Sequence, residues 1–307
     1  MTHDPRPSNR RLYAAIAMLM AASITVQAVR DRQWSPFVPP DPTLWLQSGA
    51  LARRMALGFD NVVADAYWMR AVVYYGGRLR ASRGAETGDR PSFELLYPLL
   101  DLVTSLDPHF KVAYRFGAIF LTEGYPAGPG RPDQAELLLR RGIERDFGRW
   151  EYFHDIGFIH YWWRHDYRTA ADWFLKGAAQ PGAPEWLKPL AATTLASGGD
   201  RNTSRQLWTQ LLNSDVEYLK SQAELRLQQL DTMDRIAELT PLLQRFIERE
   251  KRTPRSWEEF AAAEGLRTVP TDATGMRFYF DPKVGRIDVS PKSRLWPLPP
   301  APGNSRP

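Results

Sequence analysis

Five side chains of the kinds that bind metals or move protons crowd one stretch: His154, Asp155, His160, His165 and Asp166. Imidazole and carboxylate at short spacing suit a zinc site or a general acid–base pair, provided that they converge on one face. At about 100° per residue on a helix, His154 and His160 lie roughly 240° apart around the axis, and His160 and His165 roughly 140°. They diverge, so the expectation is structural, with no catalytic residue, no metal and no cofactor. The other chemical signatures are missing too. The chain carries no Gly-rich phosphate loop with Lys, no His-Glu-x-x-His and no nucleophile elbow. It has no cysteine, which excludes disulfides, thiolate zinc sites, cysteine-ligated iron–sulfur clusters and thioether-attached haem.

The elements that position this stretch repeat. Ala135, Leu139 and Gly142 recur as Ala170, Phe174 and Gly177 after 35 residues, and as Ser204, Trp208 and Leu211 after a further 34. Within the first two sets the order is small, bulky, small at helical spacing; the third keeps the register but ends in Leu. Preceding helices carry a second pattern: Ala113, Phe116, Gly117 and Phe120, then Phe153, Ile156, Gly157 and His160, then Lys188, Ala191, Ala192 and Leu195. Small residues at such positions let two helices cross closely, where a larger side chain would push their axes apart. Both patterns resemble tetratricopeptide repeats, which recur every 34 residues as helix pairs. The resemblance implies an all-α solenoid, with His160 filling an aromatic core position, over units of about 65–108, 109–147, 148–181 and 182–212. The competing reading is an unrelated helical bundle. Gly117 and Gly157 are 40 residues apart, and the excess falls in Gly124–Pro132, a Pro/Gly insertion expected to bulge from the array.

At 307 residues and 43% hydrophobic, the chain can bury a substantial core. Its net charge is +5 and its pI about 9.4, but the basic residues are scattered among 35 acidic ones. No basic face is interleaved with aromatics, and no nucleic-acid partner is expected. Residues 1–11 are polar. Arg6, Arg10 and Arg11 then precede an uncharged run over 12–29, with Arg30 and Arg32 behind it. That run is just long enough for a transmembrane anchor, and the basic cluster ahead of it sets the N-terminus in the cytoplasm. A cleaved signal peptide is the alternative, since Val26-Gln27-Ala28 offers small residues to a peptidase. A soluble amphipathic helix is the third reading; the first two both export the bulk of the chain, and the anchor implies a single-pass inner-membrane protein with a periplasmic body.

Residues 30–50 form a Pro-rich spacer, and 51–250 the helical array. Leu51 to Gly76 has helical periodicity, interrupted by Gly58, and Arg78 to Arg90 reads as a solvated loop. Val216 to Leu239 reads as one helix or two. Pro241 is expected to break it and, with Thr240 as N-cap, to start another. Residues 251–294 form a small α+β cap: Ser256 and Glu259 make a capping box on a short helix, and Met276–Phe280 and Arg286–Ser290 a β-hairpin. Pro270-Thr-Asp272 with Gly275, ahead of an aromatic strand, resembles the C-terminal segment of pseudopilins over about 35 residues, although Ala273 and Thr274 replace the second Pro and the aromatic. Residues 295–307 read as a disordered Pro-rich tail.

The resemblances imply a non-enzymatic scaffold whose concave face binds an extended peptide or helix of a protein partner. On first helices the candidate groove residues are Tyr114, Arg115, Tyr152, His154 and Asp155. Trp162 and Trp163 are adjacent and cannot both point inward, so one of them is free for a contact. The pseudopilin-like tail points to type IV pilus or secretion machinery. The alternative function is an accessory subunit of an inner-membrane complex.

Overall fold

Helical periodicity governs the observed chain. The computed structural model describes residues 10–33, 48–84, 92–146, 148–281 and 285–299, and among these it is mostly helical, with twelve helices and two short strands. The chain divides into two compact units, Met1–Trp45 and Leu46–Pro307.

The first unit contributes α1, Arg10–Gln33. The side chains described along it, from residue 13 to 29, are all exposed, and Thr25 Oγ1 donates to Ala21 O at 2.7 Å. Among the described residues no helix is long and apolar enough to cross a membrane. The transmembrane span expected over 12–29 is therefore not supported. Physically, the uncharged run falls short of about 20 residues and is diluted by Ser23, Thr25 and Gln27. The Pro-rich spacer lies almost wholly outside the described residues.

The second unit begins with α2 (Gly49–Ala56) and α3 (Asp60–Gly84). Leu57 and Gly58 separate them in left-handed conformations, φ 50° and 90°, so the stretch from Leu51 is two helices rather than one. At its other end α3 continues through Gly76 and Gly77, and part of the expected loop after Arg78 is helix. Then follow α4 (Leu96–Leu106), α5 (Lys111–Thr122), α6 (Pro132–Arg145), α7 (Trp150–Trp162), α8 (Tyr167–Ala178), α9 (Leu187–Ser197) and α10 (Arg201–Leu211). From α3 to α11 (Glu217–Glu250) each helix packs chiefly on its sequence neighbours, with weaker contacts of α4 to α6 and α5 to α7.

The small residues sit where neighbouring helices meet. A Cβ on Gly157 of α7 would lie 2.5 Å from Phe174 Cε1 on α8, and one on Gly117 of α5 2.8 Å from Leu100 on α4. Gly142 is packed by Tyr114 and Tyr152, and Gly177 by Phe153 and Trp150. Ala135, Ala170 and Ser204 are fully buried, and Ser204 Oγ donates to Ala192 O at 2.7 Å. Two of the register positions depart from a core role: Phe116 and Lys188 face solvent.

The insertion at 124–132 does not bulge free. Tyr75 Oη of α3 donates to Ala127 O (2.6 Å), Ser82 Oγ to Pro126 O (2.7 Å) and Tyr125 Oη to Ser82 O (3.1 Å). Its backbone amides turn back on Glu123 and Leu121, so backbone pairing compensates for what the prolines cannot donate.

Pro241 does not break the last long helix. α11 runs unbroken through it. Thr240 Oγ1 donates to Ile236 O (2.7 Å), and Leu239, Leu243 and Phe246 are buried against Phe260, Phe278 and Ile287. Packing on both sides of the proline outweighs the lost backbone bond. α12 (Trp257–Ala263) is capped by Ser256 Oγ, which accepts from Glu259 N at 3.2 Å. β1 (Tyr279–Asp281) pairs antiparallel with β2 (Arg286–Asp288), a hairpin shorter than expected. The tail expected to be disordered is fastened at its start, although Trp296 is 48% exposed. Leu295 is buried, and Gln229 Nε2 of α11 donates to Leu295 O (2.8 Å) and Pro297 O (3.1 Å).

Candidate functional site

Side chains of α5 and α7 meet in a charged ladder. Lys111 pairs with Glu151, and one turn on Arg115 grips Asp155 bidentately, Nε to Oδ2 at 2.5 Å and Nη2 to Oδ1 at 2.9 Å. Both pairs join residues 40 apart, so they fix the register of one helix on the other. Burial pushes the Asp155 carboxyl up, but hydrogen bonds from His154 Nδ1 (3.0 Å) and Arg115 outweigh it and hold the group below its ordinary range. Glu151 is lowered in the same way, with Lys111 outweighing burial.

Of the expected groove residues, Arg115, His154 and Asp155 therefore come together, but as partners of one another. Tyr114 and Tyr152 are corrected: both are fully buried, with ring centroids 5.3 Å apart. Burial raises both phenols, and Tyr152 Oη donates to Asp146 Oδ2 at 3.4 Å. They lie on the small-residue side of their helices, where Gly142 makes room for both rings. Trp162 is 60% exposed, whereas Trp163 is half-buried. Adjacent positions diverge by about 100° on a helix, which settles which of the two faces solvent.

The histidines do not converge. His154 lies among rings, 5.6 Å from Trp186, 5.7 Å from Phe158 and 5.7 Å from Phe174. His165 has a left-handed backbone, φ 51°, and is exposed. His160 is buried, with Nε2 3.4 Å from Glu136 Oε2. Among the described residues no group of three or more His, Cys, Asp or Glu could hold a metal ion.

Glu136 is the residue that the sequence did not single out. It is 8% exposed on α6 and receives Arg140 (2.5 Å), Arg164 (2.6 Å) and His160. Burial raises its carboxyl, and the two guanidiniums more than offset that, so it stays below the ordinary glutamate range. Burial in turn lowers His160, whose Nδ1 has no hydrogen-bond partner among the described residues. No local signal marked it: a carboxylate after the small residue Ala135 is turned about 100° from it on the helix, and only its partners on neighbouring segments draw it inside. Cations hold these carboxylates ionised, an arrangement that fixes helix against helix rather than poising a proton for transfer.

Beside the ladder the two helices expose apolar side chains. Val112, Phe116 and Ile119 follow one another at spacings of four and three along α5, and Phe158 and Trp162 at a spacing of four along α7. Such spacing keeps each set on one face of its helix. Phe116 is 51% exposed. Side chains of this size in water are interaction candidates when they share a face. No protein-family model, curated protein or solved structure matches this chain.

Proposed function

We propose that this chain is a non-enzymatic scaffold, a tetratricopeptide-like solenoid that captures a protein partner along α5 and α7. The exposed row of Val112, Phe116, Ile119, Phe158 and Trp162 beside a fixed, ion-paired ladder carries the reading. Rigid apolar anchors with a polar rim are how a repeat surface holds an extended peptide or an amphipathic helix. The 34–35-residue spacing and the neighbour-to-neighbour packing support the solenoid.

The tether belongs to the same reading. The uncharged run over 12–29 follows Arg6, Arg10 and Arg11, which favours a cytoplasmic N-terminus, an inner-membrane anchor and a periplasmic body. The pseudopilin-like cap favours assembly of a type IV pilus or secretion machine. A second reading, an accessory subunit clamped within an inner-membrane complex, is favoured by the large apolar side chains exposed along α1, which suit lateral contacts with helices of a partner.

The test is co-purification of partners with the full-length protein in mild detergent, with intact-mass analysis. The double variant Phe116→Ala, Trp162→Ala should lower partner capture by at least about tenfold, since exposed aromatic anchors each contribute about 1–2 kcal/mol. Its melting temperature should stay unchanged. Undiminished capture overturns the groove, and a chain truncated near Ala28 overturns the tether.

A further inference from the structure

The outer side of α3 carries an apolar seam that no described residue of its own unit covers. Ala64 shares a core with Leu102 and Leu106 of α4, and Trp68 and Tyr75 stack on Phe120 of α5. At about 100° per residue, Val62, Ala66, Met69 and Val73 fall roughly opposite Ala64. All four are exposed, Val62 by 64%, Met69 by 60% and Val73 by 69%, and Phe59 ahead of them by 68%. The far end of the array is closed by α11 and the cap, whereas α2 packs chiefly on α4 and leaves this face open.

The spacing identifies the kind of group that fits. From Phe59 to Val73 the steps are three, four, three and four. That is a heptad seam, with Phe59, Ala66 and Val73 at its a positions and Val62 and Met69 at its d positions. A mean step of about 3.5 residues is what keeps such a row against a second helix wound beside it. An acyl layer or an extended strand makes no such demand.

The flanks identify which helix. Asp65, just ahead of Ala66, is exposed and forms no ion pair among the described residues. Arg70, just behind Met69, edges the other side of the row, its guanidinium 6.0 Å from the centre of the Tyr67 ring. The two charges are opposite in sign and five positions apart. In a parallel pair of identical helices, the residue before an a position meets the one five later on the other chain. Asp65 of each copy then faces Arg70 of the other, twice in one dimer. An antiparallel pair would set Asp65 against Asp65. The seam is complementary to itself in one orientation.

We propose that α3 pairs in parallel with α3 of a second copy of this chain, burying Val62, Ala66, Met69 and Val73 between them. This goes beyond the partner capture at α5 and α7, which uses other side chains. Two heptads fall short of the roughly 800 Å² per partner of a standard interface, so the dimer is reversible, with a dissociation constant of micromolar order.

The absence of cysteine makes the test direct, because single-cysteine variants of the full chain report without background. In mild detergent with oxidised glutathione, Met69→Cys should link to its own copy at least about tenfold faster than Tyr218→Cys, a comparably exposed position on α11. A parallel seam brings residue 69 of both copies within disulfide reach. Sedimentation should show a dimer fraction that rises with concentration, and Val62→Lys with Met69→Lys should abolish it without loss of helical circular dichroism. Asp65→Lys should weaken the dimer about tenfold, and adding Arg70→Glu should restore it. Equal linking at 69 and 218, or a chain monomeric at every concentration, overturns the seam. A dimer that survives the double lysine variant associates through another surface and overturns it as well. A dimer indifferent to Asp65→Lys overturns the parallel register.

Discussion

The middle of the array and its beginning use glycine in opposite ways. Between α5 and α8, glycines lie where a methyl group would collide: Gly157 against Phe174, Gly117 against Leu100, Gly142 against two tyrosines. In α3, Gly76 and Gly77 have nothing within 4 Å of where a Cβ would sit. The first set is a packing requirement, since the helices cannot approach with anything larger. The second brings no close approach and loosens its own helix, because glycine there adds backbone entropy to the unfolded chain. The charged groups differ in parallel. Glu136 and Asp146 are buried and Asp155 half-buried, each answered by cations, while Arg53 and Arg54 are exposed and form no ion pair among the described residues. The middle is built as interior, whereas the beginning leaves its glycines and these cations in open space.

Four substitutions sharpen or break that contrast. Glu136→Ala should cost most, about 3 kcal/mol of stability by chemical denaturation, because it leaves Arg140, Arg164 and His160 facing one another without a carboxylate. A cost below about 1 kcal/mol would mean that the cluster is effectively solvated. The same cluster sets a pH dependence. His160 is depressed by burial, so the unfolded chain takes up its proton first, and stability falls as pH drops below the ordinary histidine range of about 6.5. Glu136, held low by its arginines, adds stability above the ordinary glutamate range that is lost on further acidification. His160→Gln should therefore flatten the upper part of the decline and leave the lower part.

Gly157→Ala comes next, at about 2 kcal/mol, since overpacking against the Phe174 ring outweighs the gain in helix propensity. The smallest effect has the opposite sign. Gly77→Ala should stabilise by about 0.5–1 kcal/mol, as alanine adds helix propensity in open space. If both alanines acted alike, the distinction between the two regions would collapse.

Much of the middle was legible. Ala135, Ala170 and Ser204 announce their burial through spacing alone, because only closely crossing helices demand small residues at a fixed interval. The capping box at Ser256 was legible because it is a local bond between neighbours. Other features depend on partners distant in sequence. Tyr114 and Tyr152 were assigned to a groove by helical angle, yet Gly142 on another helix draws them inward. Pro241 has the chemistry of a breaker, and only the residues packed around it keep α11 whole. Leu295 follows a run of Pro, Lys and Arg that gives no hint of burial, and Gln229, 66 residues earlier, fastens it. Of the candidate site, the pairing partners Arg115 and Asp155 were named without their bond, and Phe116 was given to the core when it faces water. Glu136 went unnoticed because a lone glutamate on a helix is usually solvated.

α11 belongs to two hydrophobic cores at once. Its first half, with Leu219, Ala223 and Leu230, is packed with Ala192 and Trp208 of the array. Its second half, with Leu239, Leu243 and Phe246, is packed with the cap. Pro241 lies just inside the second, and its missing amide leaves the ladder thinnest close to the junction. A long helix with one weak rung between two independent cores behaves like a spliced beam. Under pulling or thermal opening, the cap and its half of the helix would release as one cooperative block, while the array stays folded and amide exchange steps abruptly near residue 240.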